Sequence, residues 1–170
     1  MTDTDFRRKA VTRERGHWFE DFTPGREFSH HWGRTINAGD NSYFSTITIN
    51  FCPLYFNSEY ARAHGHPREQ VNPMLVFTTV FGMSVEDLSE TGAAFLGVDD
   101  LQFLLPVYPG DTLTATSTVH ATRESAKNPA QGICTWHTKG FNQKGELVID
   151  FKRTNLMYKR AARQPAGKGA

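Results

Sequence analysis

The eleven residues Ile47–Asn57, I-T-I-N-F-C-P-L-Y-F-N, gather two amides, a thiol and a phenol around one proline. No acid or imidazole stands among them. Asn50 cannot act as a base, but its amide can orient water or a carbonyl. Tyr55 can donate a proton, and an ordinary pKa near 10 makes it a poor base at neutral pH. Cys52 needs a neighbouring base to become a nucleophile, and nothing nearby marks one. The nearest imidazoles, His64 and His66 in A-R-A-H-G-H-P, can serve as bases or stand as exposed loop histidines. His30 and His31 are neighbours on a strand, so one points inward and the other to solvent, which rules out a metal pair. His137 alternates within a strand and reads as structural. Glu86 and Asp87 suit the polar exit of a long helix, and Asp40 and Asn41 suit a helix cap.

The elements that carry these groups follow from pattern. Glu27–Arg34 reads as a first strand, and Asp40 as the N-cap of a helix with Tyr43, Phe44 and Ile47 on one side. Pro53 keeps 48–57 a loop. Residues 58–64 form a short helix ended by Gly65 and Pro67. Val71–Leu88 is the longest helix, with Asn72 at the N-cap and Pro73 in the first turn. It is apolar nearly all round, so burial is expected. Four strands follow, separated by Pro109-Gly110-Asp111, a loop at 126–131 and a turn at Gly145. Leu113, Ala115, Ser117, Val119 and Ala121 share one face. Cys134, Trp136 and Thr138 lie opposite Ile133, Thr135 and His137. An antiparallel sheet around one buried helix is an α+β fold.

The bulk properties exclude some functions. A chain of 170 residues suits one domain, assigned to 16–160, between a flexible arm at 1–15 and a disordered tail at 161–170. A net charge of +1 gives no general attraction to nucleic acid, although a small anion needs only a local basic patch. The charged N-terminus is not a secretory signal, and no run reaches membrane-helix length. The two cysteines lack metal or disulfide spacing and read as free thiols in a reducing cytosol, a cytoplasmic setting. No metal is expected.

Four stretches in order resemble the MaoC-like dehydratase/hydratase family, which has the hot-dog fold. They are W-F-E-D-F-T-P-G (18–25), G-R-T-I-N-A-G-D-N (33–41), P-V-Y-P-G-D-T-L (106–113) and F-K-R-T-N-L-M-Y-K-R (151–160). The resemblance spans roughly residues 17–160. R-E-S-x-x-x-P-x-x-G (Arg123–Gly132) and G-x-N-Q-x-G (Gly140–Gly145) look most like the branch that hydrates itaconyl-CoA and mesaconyl-CoA and dehydrates methylmalyl-CoA.

The resemblance implies a site. R-specific hydratases of the family use a loop D-x-N-P-x-H-x-D, a following H-G whose backbone N–H holds the oxyanion, and a serine that steadies the Asp. Aligned on Pro53, this chain has Asn50 for the Asp, Tyr55 for the His and Asn57 for the second Asp. Asn72 and Pro73 replace His-Gly, and Phe81 falls on the serine. Pro73 has no N–H, so Met74 is the substitute oxyanion donor. The implied catalytic set is Asn50, Tyr55, Asn57 and Asn72, with His64, or its neighbour His66, as base. Arg123, Lys127 and Lys139, with Lys152 beside them, are the expected CoA-phosphate rim. The implied activity is hydration or dehydration of a short or branched enoyl-CoA, with no cofactor beyond the thioester. Two other readings stand beside it. One is a catalytically degenerate acyl-CoA-binding subunit beside an active hot-dog partner. The other is a thioesterase, which needs an acidic residue facing the helix start; none reads as well placed in 50–75. The expected assembly is a homodimer or dimer of dimers, or a pairing with a different hot-dog chain.

Overall fold

A computed structural model describes residues 16–162. The expected arm at 1–15 lies outside them. So does most of the expected tail, although Ala161 and Ala162 close a 3-10 turn that starts at Arg160.

The sheet contains β1 (Glu27–Ser29), β2 (Arg34–Thr35), β3 (Gly92–Phe103), β4 (Thr112–Glu124), β5 (Gln131–Phe141) and β6 (Leu147–Tyr158). All pairings are antiparallel, in the order β1-β4-β5-β6-β3, with β2 on the start of β4. The helices are α1 (Ala38–Ile47), α2 (Ser58–Ala63), α3 (Pro73–Met83) and α4 (Val85–Leu88). Gly140 lets α3 approach β5: a Cβ there would lie 2.5 Å from Ile149 and 2.7 Å from Val80. The α+β hot-dog expectation holds. No helix among the described residues is long and apolar enough to cross a membrane.

Four local expectations need correction. The first strand breaks in two: β1 pairs with Thr116–Thr118 and β2 with Thr112 and Leu113. The cap of α1 is Asn37, one turn earlier than Asp40. Its side chain accepts from the Asp40 N–H at 2.8 Å, and the Asp40 carboxylate accepts from the Asn37 N–H at 3.1 Å, a reciprocal capping box. The long helix stops at Met83, because the buried Ser84 hydroxyl donates to the Phe81 carbonyl and disturbs the helical ladder. On β4 the alternation holds through Val119, then a register shift leaves Ala121 exposed.

The core divides in two. Ile36, Val76, Val80, Leu113, Ile149 and Phe151 fill one end, and Phe22, Leu88, Val119, Cys134, Trp136 and Met157 fill the other. Between them runs a buried polar seam: His30, Ser117, Thr138 and Arg153. Helix α3 is covered on one side only. Val76, Val80 and Met83 are buried, while Met74, Thr78 and Gly82 are exposed. Strand β3 ends the sheet, with Phe95, Leu96 and Phe103 exposed. A long apolar edge strand invites pairing with another sheet.

Candidate active site

Asn41, in the first turn of α1, organises the N-terminal end of α3. It is fully buried. Its amide nitrogen donates to the carbonyls of Tyr55 (2.6 Å) and Gln70 (2.7 Å), and its oxygen accepts from the Asn72 N–H (2.7 Å). The Gln70 N–H donates to the Leu54 carbonyl at 2.8 Å. One side chain therefore ties the 53–55 turn, the 66–70 segment and the start of α3 into a single ledge. Reading Asn41 as a cap missed this role, because its partners lie far along the chain.

Asn72 is also fully buried. Its oxygen accepts from the Met74 N–H at 3.0 Å and its amide donates to the Ser45 hydroxyl at 3.3 Å. The next two amides, of Leu75 and Val76, bond the Asn72 carbonyl. The substitute oxyanion donor expected at Met74 is thus occupied by the cap. Pro73 lines the neighbouring pocket but donates nothing.

The loop ahead of the ledge starts under strain. Ile49 has φ +57°, a left-handed conformation that costs a β-branched residue roughly 1–2 kcal/mol. It closes α1: the Ile49 N–H bonds Thr46 and the Asn50 N–H bonds Ser45. The Asn50 side chain is half-buried and makes no hydrogen bond within the described residues. Tyr55 is half-buried, and burial first, then Cys52, raises its phenol above its ordinary value. It therefore stays neutral and can only donate. Asn57 caps α2 through the Tyr60 N–H at 3.0 Å.

The two candidate imidazoles separate clearly. His64 is exposed, stacks on Tyr60 at 4.1 Å and bonds the Tyr60 carbonyl. His66 lines a pocket of about 300 Å³ whose apolar wall is Val71, Val76 and Phe103–Val107. Gln70 Nε2 lies 2.6 Å from His66 Nε2, and the Tyr108 hydroxyl lies 3.2 Å from Nδ1. Neither Asn50 nor Tyr55 lines this pocket or the smaller one between α1 and α3. An acidic group does stand near the helix start. Glu69 is buried, with its oxygens accepting from Ser58 (2.5 Å) and Arg68 (2.9 Å). Burial would raise its carboxyl, but those bonds outweigh burial and hold it below its usual value. It does not line the pocket.

The expected phosphate rim is dispersed. Arg123 pairs with Ile133 across the sheet, and Lys139 lies six residues further along β5, about 20 Å away. Lys127 sits in the loop beyond Arg123, and Lys152 is held by Asp100 at 2.9 Å. His30 is the inward histidine and His31 the exposed one. His137 bonds Asp150. Both cysteines are free, and burial pushes the Cys134 thiol up to about 12.

With this geometry in view, known proteins decide the family. Residues 2–169 match the model described as mesaconyl-CoA hydratase. The chain belongs to that family. Mesaconyl-CoA hydratase of Haloarcula hispanica is 39% identical over 153 residues, covering 89% of this chain and 43% of the relative. Beta-methylmalyl-CoA dehydratase of Chloroflexus aurantiacus is 35% identical over 151 residues, again covering 89% and 43%. A solved MaoC-domain protein of Chloroflexus aurantiacus superposes with TM-score 0.85 at 33% identity, over 95% of this chain and 46% of that one. A Mycobacterium tuberculosis protein with a double hot-dog fold reaches TM-score 0.79 at 24% identity, covering 89% and 47%, and supports the fold alone. The chain therefore spans less than half the length of these relatives. Asn72 and Pro73 form the closed start of α3, and the imidazole at the pocket, His66, comes from outside the Asn50–Asn57 loop.

Proposed function

We propose that this chain is one hot-dog unit of a hydratase/dehydratase for a branched C5 dicarboxylyl enoyl-CoA, with mesaconyl-CoA the first substrate to test. The observation that carries this is the apolar pocket beside the start of α3, with the His66 imidazole on its rim between Gln70 and Tyr108. In hydration His66 takes a proton from water, and the hydroxyl bonds to the β-carbon. The displaced electron pair moves onto the thioester oxygen and returns as the α-carbon is protonated. Neither Tyr55 nor Asn50 lines this pocket, so the protonated His66 returns the proton to the α-carbon and is neutral again at the end of the cycle. Gln70 takes the oxyanion role closed at Met74.

Two features favour a second reading, in which the chain binds the acyl-CoA and a second hot-dog unit completes the catalytic groups. The Met74 amide is capped, and the outer half of α3 and the β3 edge are uncovered. In both readings a second unit, a copy or a different chain, covers that surface.

Turnover separates the two. The chain alone is incubated with crotonyl-, mesaconyl-, itaconyl- and methylglutaconyl-CoA, and water addition is followed by mass spectrometry. Hydration of one ester, with His66→Gln lowering kcat roughly 10²–10⁴-fold at unchanged melting temperature, supports the leading reading. Binding without turnover supports the second.

A further inference from the structure

The turn that follows the apolar wall of the His66 pocket is tied down from several sides. The Tyr108 N–H donates to the Asp111 carboxylate at 2.8 Å, and that carboxylate also accepts from the Gln143 amide at 2.7 Å. The Val71 N–H bonds the Val107 carbonyl at 2.8 Å and the Gly110 N–H bonds the Ile36 carbonyl at 2.7 Å. Arg68 donates to the Pro109 carbonyl at 3.2 Å. Tyr108 is therefore held in place beside the pocket, half-buried and outside its lining. Its ring meets the His66 ring obliquely, with centroids 6.4 Å apart, and the closest approach is the hydroxyl, 3.2 Å from Nδ1. Burial first, then Asp111, raises the phenol above its ordinary value, so it keeps its proton at neutral pH.

The contacts of His66 suit one neutral form of the ring. Gln70 Nε2 lies 2.6 Å from His66 Nε2 and 2.8 Å from Nδ1. An amide nitrogen only donates, whereas a phenol oxygen donates or accepts. A proton on Nε2 would face the Gln70 donor, while Gln70 and Tyr108 competed for the lone pair of Nδ1. A proton on Nδ1 has the phenol oxygen as its acceptor and leaves Nε2 to receive the Gln70 N–H. The hydrogen bond at one ring nitrogen thus decides the state of the other.

We propose that Tyr108 is a positioning residue for His66: its oxygen accepts from Nδ1–H and so fixes Nε2 as the basic nitrogen. This rests on the hydratase reading of the pocket, in which Gln70 turns to the thioester oxygen. That turn uncovers Nε2 for water, and Tyr108 keeps the ring in register while Nε2 takes the proton and returns it.

The test reads the ring directly. Long-range proton–nitrogen NMR of the nitrogen-15-labelled chain reports which histidine nitrogen carries the proton, and His66→Gln assigns the His66 signals. Nδ1–H is expected as the main neutral form in the wild type, with Nε2–H gaining in Tyr108→Phe at unchanged melting temperature. A wild-type ring protonated on Nε2, the form a reversed Gln70 amide would require, overturns the proposal without any variant. So does a Tyr108→Phe chain that keeps the wild-type form. Losing the partner that orients a reactive histidine costs roughly 10–10²-fold, so Tyr108→Phe should lower kcat for mesaconyl-CoA by that factor with KM little changed. If the tautomer changes as expected but the wild type turns over no enoyl-CoA, the hydratase reading fails while the Tyr108 lock on His66 stands. If wild type and Tyr108→Phe hydrate mesaconyl-CoA equally fast, the positioning role fails and the hydratase reading stands.

Discussion

The two halves of α3 both sit on buried polar groups, but they treat them differently. At the N-terminal end, the side chains of Asn41, Ser45 and Asn72 are buried and each is hydrogen-bonded. At the other end, Arg153, Trp136 and Asn155 leave four buried atoms without partners. Each unsatisfied buried group costs about 1–3 kcal/mol, so a chain keeps few of them without return. The first region is complete within the chain and acts as a clamp. The second leaves those four atoms unmatched among the described residues.

The largest expected effect lies in the clamp. Asn41→Leu leaves the Tyr55 and Gln70 carbonyls and the Asn72 N–H unpaired, for a loss of roughly 3–6 kcal/mol in urea unfolding. A loss under about 1 kcal/mol would break the distinction between the halves. Next, Asn72→Ala removes the α3 cap and should cost about 1–2 kcal/mol. It also frees the Met74 N–H, so any turnover or CoA-ester affinity it gains would show that the cap had been blocking an oxyanion donor.

The seam should respond to pH. Burial, opposed by the Asp87 hydrogen bond and charge and reinforced by Arg153 and His31, lowers the His30 pKa below 6.5. The unfolded chain therefore binds the proton more readily. Stability is full above pH 6.5 and falls as the pH drops toward the folded value. Melting temperatures at pH 7.5 and 5.5 should show this fall, with a smaller one in His30→Gln. The smallest effect is at Arg153. Replacing an unpaired buried cation with Met should leave the melting temperature unchanged or slightly higher. A drop comparable to that of Asn41→Leu would make the seam as structural as the clamp.

Much of the fold was legible because its signals are local. Asn72-Pro73 marks a helix start, the alternation of Cys134, Trp136 and Thr138 marks an inward face, and Pro109-Gly110-Asp111 marks a turn. Arg153 also carried a readable signal, because it follows Phe151 and precedes Asn155 and Met157 on the buried face of β6. A cation at an inward position was visible in the alternation.

The site was less legible because its bonds cross the chain. By itself the sequence determined most of the elements and their order, since side-chain periodicity and turn chemistry act over a few residues, while the family was legible only through the resemblance of its motifs. Only the tertiary structure decided that His66 and not His64 meets the pocket, that the Met74 amide is spent on Asn72, and that Arg123 and Lys139 lie far apart. It also showed Asn41 reaching residues 14 and 29 positions away, and no local pattern encodes which distant carbonyl a buried amide will find.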